Sequence, residues 1–198
     1  FKINIRQNGR WDNALIGIRP SSVSPGLLYF DFPDGLVFNG GNQARFFDMK
    51  SYRYLSESIA RIKPVGDYYK VYLHPDWSRN GKAYETYKCI QGRKLITARN
   101  DQDPMTEGDY AEVNFSLKSG KLEQGSVYIM GALTDWRFTA EAKMVYDENL
   151  HAYQGKLFLK QGYYEYWYVV VPQGGKKGDI VPFEGNHWET HNQYTVYV

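Results

Sequence analysis

Tyr110-Ala111-Glu112-Val113-Asn114-Phe115-Ser116-Leu117-Lys118 is the stretch whose reading decides the fold class. Ala111, Val113, Phe115 and Leu117 fall on one side, and Tyr110, Glu112, Asn114, Ser116 and Lys118 fall on the other. A period of two is the mark of a half-buried β-strand. The pattern recurs upstream, where Tyr69, Val71 and Leu73 oppose Tyr68, Lys70, Tyr72 and His74, and Asn80-Gly81 offers a tight turn before a strand over Ala83 to Lys88. Further strands are predicted over Phe1 to Gln7, Leu27 to Phe32, Ser126 to Leu133, His151 to Leu159, Tyr163 to Val171 and Gln193 to Val198. No useful window carries apolar residues at helical spacing, and the nearest, Ser51 to Ala60, suits a strand or turn about as well. With 18 Tyr, 10 Phe, 5 Trp and 19 Gly, the composition favours twisted strands joined by tight turns. The expected fold is all-β, with under a tenth of the chain helical against a usual share of about a third.

The 198 residues are 42% hydrophobic and 23% charged, a globular composition large enough for a real core. The stretch Arg99 to Gly108 is polar, contains Pro104 and Gly108, and lacks strand alternation, so it is read as a boundary. Two tandem β-sandwich domains are expected, residues 1–103 and 104–198. Residues 1–103 carry 16 basic and 10 acidic side chains, a balance of +6, whereas 104–198 carry 8 and 12, a balance of −4. The net charge of +2 is too small for an electrostatic nucleic-acid binder, so no nucleic-acid partner is expected. No run reaches the apolar length of a membrane-spanning helix, and an opening at Phe1 within a strand reads as a fragment of something longer. A single cysteine, Cys89, excludes an internal disulfide.

No motif advertises catalysis. Neither Gly40-Gly41-Asn42 nor Gly174-Gly175-Lys176-Lys177-Gly178 completes a phosphate-binding loop, and no Gly-x-Ser-x-Gly elbow is present. Cys89 lies in an expected strand and reads as a packed thiol. His187-Trp188-Glu189-Thr190-His191 lacks the Glu that follows the first His of a zincin. In an extended segment rising about 3.3 Å per residue, its two imidazoles start about 13 Å apart, too far to share one zinc. Asp101 and Asp103 lack the later Gly and Glu of a calcium loop. No catalytic residues, metal or cofactor are expected.

The segment Val127 to Trp136, followed by Met144, then His151 to Leu159 and Lys160 to Val170, is more specific. Gly131 lets the chain bend off its strand, Trp136 caps the sandwich or stacks on a ligand, and Gly162 makes the return turn. This order resembles the glycogen-binding type of carbohydrate-binding module, and implies an immunoglobulin-like early-set fold for residues 104–198. Trp136 falls on a family aromatic that stacks on glucose. Pro172 to Gly178 holds no ring to complete a two-aromatic platform, and Trp167 falls where glycan binders carry a Lys. Strong α-glucan binding is therefore not expected, and a glycan partner is the alternative reading.

A second resemblance covers nearly the whole chain. Gln7 to Ala14, Phe38 to Asp48, Gly131 to Trp136, Leu159 to Tyr164 and Glu184 to Val196 are similar, in the same order, to the C-terminal part of the type IX secretion system plug proteins. That family was earlier catalogued as a domain of unknown function. The resemblance implies a non-enzymatic periplasmic protein, associated with the outer membrane, that docks on the translocon protein and closes its pore; an N-terminal β-domain would precede residue 1. The residues fit such a role through aromatics on both faces of Tyr163 to Val171, where Tyr164, Tyr166 and Tyr168 alternate with Tyr163 and Trp167. A sandwich strand buries one face, so Trp136, Tyr164, Tyr166, Trp167 and Trp188 are the candidate binding surface.

Overall fold

Side chains that alternate along a strand need an apolar layer on one side only, and two such strands sets facing each other satisfy both. The computed structural model, which describes residues 1–31, 35–98, 103 and 105–198, is built this way. In chain order its strands are β1 (Ile3–Gln7), β2 (Leu15–Ile18), β3 (Ser22–Ser24), β4 (Leu27–Tyr29), β5 (Arg45–Asp48), β6 (Ile59–Val65), β7 (Tyr68–Leu73) and β8 (Asp76–Trp77). There follow β9 (Lys94–Ile96), β10 (Tyr110–Lys118), β11 (Ser126–Met130), β12 (Val145–Asp147), β13 (Ala152–Lys160), β14 (Gly162–Val171) and β15 (Tyr194–Tyr197). A 3-10 turn at Ala132–Thr134 follows β11, and one turn of helix, α1 (Val181–Glu184), precedes β15. Among the described residues 4% are helical and 42% are strand, the all-β sandwich expected from the alternation.

One sheet runs β12-β13-β10-β7-β6, with β8 continuing the line of β7 along β10. Its pairs are antiparallel except for β7 and β8 against β10. The facing sheet is centred on β14, which has β5 along one edge and β11 and β9 in succession along the other. Ala111, Val113, Phe115 and Leu117 of β10 are all buried, the row assigned to the core by their spacing. Phe115 meets Phe47 edge-on at 5.7 Å and Tyr166 at 5.2 Å between ring centroids, so three strands from both sheets lock at one point. Truncating either phenylalanine to alanine would cost about 3–5 kcal/mol. A smaller sheet, β15-β1-β2, joins the two ends of the chain, and β3 and β4 form a separate hairpin.

The division at 103/104 is corrected by the pairing. β10 lies beside β7 with Val113 opposite Val71, and β14 lies beside β5 with Tyr164 opposite Phe47. Residues 1–103 thus add strands to both sheets that residues 104–198 begin, so the two halves share one core. Partner choice between strands is non-local, and a polar connection followed by a change in charge balance carries no information about it. Arg99, Asn100, Asp101, Gln102 and Pro104 of the expected boundary lie outside the described residues, as does Phe32 at the end of the strand read from Leu27.

The hairpin expected at Asn80-Gly81 is also corrected. β7 turns at Gly66-Asp67 to pair with β6, an edge strand that tolerates Pro64 because its outer amides need no ladder partner. Ala83 to Lys88 is irregular. Its tyrosines tie it down instead, with the Tyr87 hydroxyl donating to Ala44 O at 2.7 Å and Gln43 Nε2 donating to the Tyr84 hydroxyl at 3.1 Å.

Candidate functional site

The five aromatics read as a binding surface do not form one. Tyr164 and Tyr166 point into the core between the sheets and are 1% and 3% exposed. Trp167 is buried on the opposite face of β14, where its indole N–H donates to Asn42 O at 2.9 Å. Trp136 lies half-buried on Trp167 at 6.2 Å and against Gly9 and Gly92. The physical reason is a second, smaller core. Ala44, Met130, Trp167 and Val169, flanked by Tyr128, Trp136, Phe138 and Ile180, cover the outer face of β14. Both rows of aromatics on that strand are therefore packing residues. Of the five, Trp188 alone is fully presented, at 89% exposure.

Segments far apart in sequence meet around Trp188. The loop after β1 and the loop before β15 exchange bonds: Asn8 N donates to Gln193 O at 2.8 Å, Gln193 N to Asn8 Oδ1 at 2.7 Å, and Asn8 Nδ2 to Asn192 Oδ1 at 2.6 Å. The segment before β5 holds the same loop from its other side. Gly41 N donates to Asn186 Oδ1 at 3.0 Å, His187 N to Gly41 O at 2.8 Å, Thr190 Oγ1 to Gly41 O at 2.9 Å and Asn192 Nδ2 to Gly40 O at 2.8 Å. The approach is so close that a Cβ on Gly40 would stand 2.1 Å from the carbonyl oxygen of His187, which only glycine avoids. Asn, Gly and Thr suit this layer because each supplies backbone-like donors and acceptors in little volume.

Beneath the loop lies a buried charge network. Glu184 is fully buried and accepts from Arg45 Nε at 3.0 Å, from Arg79 Nε at 2.8 Å and Nη2 at 2.6 Å, and from Tyr168 N at 3.0 Å. Arg45 reaches on to Asp76 Oδ1 at 2.8 Å and to Trp77 O at 2.8 Å. The hydroxyls of Tyr166 and Tyr168 both donate to Asp76 Oδ2 at 2.7 Å. Burial pushes the Glu184 carboxyl up, but Arg45 and Arg79 outweigh it and hold the group below the ordinary glutamate range. Burial, with Asp76 adding to it, drives Tyr166 and Tyr168 well above the ordinary phenol range, so they remain donors. Every charge here has a partner, which makes the network a brace that fastens α1 and β8 to the β14 sheet. A cleft of about 300 Å³ opens beside it, with Arg45, Asp76, Arg79, Lys82, Glu85 and Tyr87 in its wall.

A second buried carboxylate, Glu165, has amide donors instead of a cation. Ile90 N donates to Oε1 at 2.8 Å, Gly92 N to Oε2 at 2.9 Å and the Tyr163 hydroxyl to Oε1 at 3.1 Å. Burial raises its affinity for a proton, and the bonds clamp the loop 89–93 over Trp167. Cys89 sits in that loop as a thiol raised by burial, donating to Gln43 Oε1 at 2.7 Å. His187 lies against Tyr84, with centroids 5.5 Å apart, while His191 is exposed. Among the described residues, no group of three or more His, Cys, Asp or Glu side chains is placed to hold a metal. Nor is any helix among them long and apolar enough to cross a membrane, which says nothing of a β-barrel.

Sequence reading missed Glu184, Arg45, Arg79 and Asp76. One signal was available: in Arg45-Phe46-Phe47, alternation puts Arg45 on the same side as the core residue Phe47. A cation on a core-facing row requires a buried anion, although the spacing cannot say which.

No protein-family model and no curated protein matches the sequence. Among solved structures, the chain is similar to the crystal structure of a hypothetical protein from Parabacteroides merdae ATCC 43184, at 34% identity and a TM-score of 0.94. The match covers 99% of this chain and 49% of that one, so the chain spans about half the length of the protein it resembles.

Proposed function

We propose that this chain is a non-catalytic docking module, a periplasmic component of type IX secretion that seats on the outer-membrane translocon and closes its pore. The observation that carries the reading is Trp188, 89% exposed on a loop whose backbone is pinned from both sides by the Asn8 and Gly40-Gly41 segments. A large ring on a rigid support loses little conformational freedom on binding, and tryptophan is enriched among residues that dominate protein interfaces. The segments that build this support, Gln7 to Ala14, Phe38 to Asp48 and Glu184 to Val196, are three of the five that resemble the plug family. Their convergence supports the family reading. The buried, mutually paired state of Glu184, Arg45, Arg79 and Asp76 suits a scaffold better than acid–base chemistry.

The test is co-purification. Tagged protein expressed in a type IX-secreting cell should bring down the translocon from solubilised outer membranes, and Trp188→Ala should lose it while keeping the wild-type thermal midpoint. Failure of the wild-type protein to recover the translocon would sink the reading.

A further inference from the structure

Between the small β15-β1-β2 sheet and the loop that follows β11 lies a cleft of about 510 Å³. Arg6, Trp11, Arg93, Trp136, Arg137 and Gln193 stand in its wall. Three guanidinium groups therefore share one concavity, and among the described residues none of them has a carboxylate partner within 4.0 Å. The acid in the wall, Asp135, has its side chain 78% exposed and is paired with Lys94 Nζ at 3.3 Å, so that pair leaves the balance of the cleft to the three arginines. Like charges gathered in this way raise the local potential and draw anions toward the cleft.

Two of the arginines are also held in place. Arg6 lies with its Cζ 4.8 Å from the Trp11 ring and 5.2 Å from the Tyr197 ring, two aromatic contacts that fix the guanidinium plane. Its Nε is buried and has no hydrogen-bond partner. Arg93 donates to the Gln193 side chain, while Arg137 is exposed. A planar fork held in position loses little freedom on engaging a two-oxygen anion, the geometry of a carboxylate. The cleft is large enough for several such groups, and Trp11, 51% exposed, adds apolar surface beside them. An acidic peptide presents just this combination of successive carboxylates on a partly apolar chain.

We propose that this cleft binds the carboxylates of an acidic peptide segment of a partner protein. That the segment belongs to a docking partner rests on the function proposed above, whereas the anion site itself rests on the three arginines. The probe is a capped hexapeptide of alternating Asp and Glu, titrated by calorimetry at 20 and 200 mM salt against the wild-type chain, the double variant Arg93→Gln/Arg137→Gln, and Trp188→Ala. Both substituted arginines are exposed, so the fold should survive, which the thermal midpoint checks. The proposal expects saturable binding that weakens at high salt, falls at least tenfold in the double variant and is unchanged in Trp188→Ala. Equal binding of the Asn/Gln hexapeptide, or binding indifferent to the double substitution, would overturn it. So would tighter binding of inorganic phosphate than of the acidic peptide, which would assign the cleft to a phosphate-bearing ligand. Peptide binding without translocon binding would refute the docking reading and leave the anion site standing.

Discussion

Glu184→Gln should destabilise the protein strongly although it changes a single atom of the side chain. The change keeps the side-chain shape but removes the charge that faces Arg45 and Arg79 and replaces one acceptor oxygen with a donor. Arg45, whose side chain is 8% exposed, would keep Asp76 as its one carboxylate partner, and Arg79 would lose both bonds to Oε2. Removing one partner of a buried ion pair costs about 3–5 kcal/mol because the remaining charge is left uncompensated. For a protein stable by about 5–15 kcal/mol, that is a large share of the total. With a urea slope of about 3 kcal/mol per molar, the unfolding midpoint should fall by about 1–2 M. Tryptophan fluorescence would follow the transition. The exposed neighbour serves as control, and Glu189→Gln should stay within about 0.5 kcal/mol of wild type. A midpoint shift for Glu184→Gln no larger than that of the control would refute the network as a brace.

The same residue has a pH signature. Because the folded carboxyl is held below its ordinary value, its stabilisation is present above the unfolded glutamate value and is lost as pH falls through the folded one. Wild type should therefore show a steeper acid limb of stability than Glu184→Gln in urea melts between pH 2 and 5. Glu165 works in the opposite sense: its folded value is raised by burial, so its contribution is full below the unfolded value and declines as pH rises through the folded one. The cost of Glu165→Gln, measured the same way from pH 4 to 8, should shrink as pH rises, and a cost that grew would contradict the burial argument. Gly40→Ala places a methyl group 2.1 Å from His187 O and should cost about 1–3 kcal/mol as an overpacking change, with faster amide exchange at His187 than at Val113. Unchanged exchange at His187 would show that the loop shifts without loosening.

The half-buried strand over 110–118 could be read from spacing because its two faces meet different surroundings: Ala111, Val113, Phe115 and Leu117 are buried and the residues between them are not. β14 could be placed from its run of aromatic and β-branched residues, but its environment could not, since loops from several parts of the chain cover its outer face. Those loops contain the turn and close-contact glycines Gly9, Gly41 and Gly92, and spacing says nothing of where a loop lands. β6 escaped notice because an edge strand that is mostly exposed and carries Pro64 has no alternation to display. Of the five candidates Trp188 alone is fully exposed, and it sits outside any strand, in a polar loop where an aromatic ring has no core to join.

The proposed function puts the loop bearing Trp188 in contact with the translocon. Its most direct test is the equilibrium affinity of the purified protein for the translocon in detergent, measured by biolayer interferometry for wild type and for Trp188→Ala. An interface anchor of this kind contributes about 2 kcal/mol or more, so the variant should bind at least about 30-fold more weakly while its urea midpoint matches wild type. Equal affinity for the two proteins would contradict the claim.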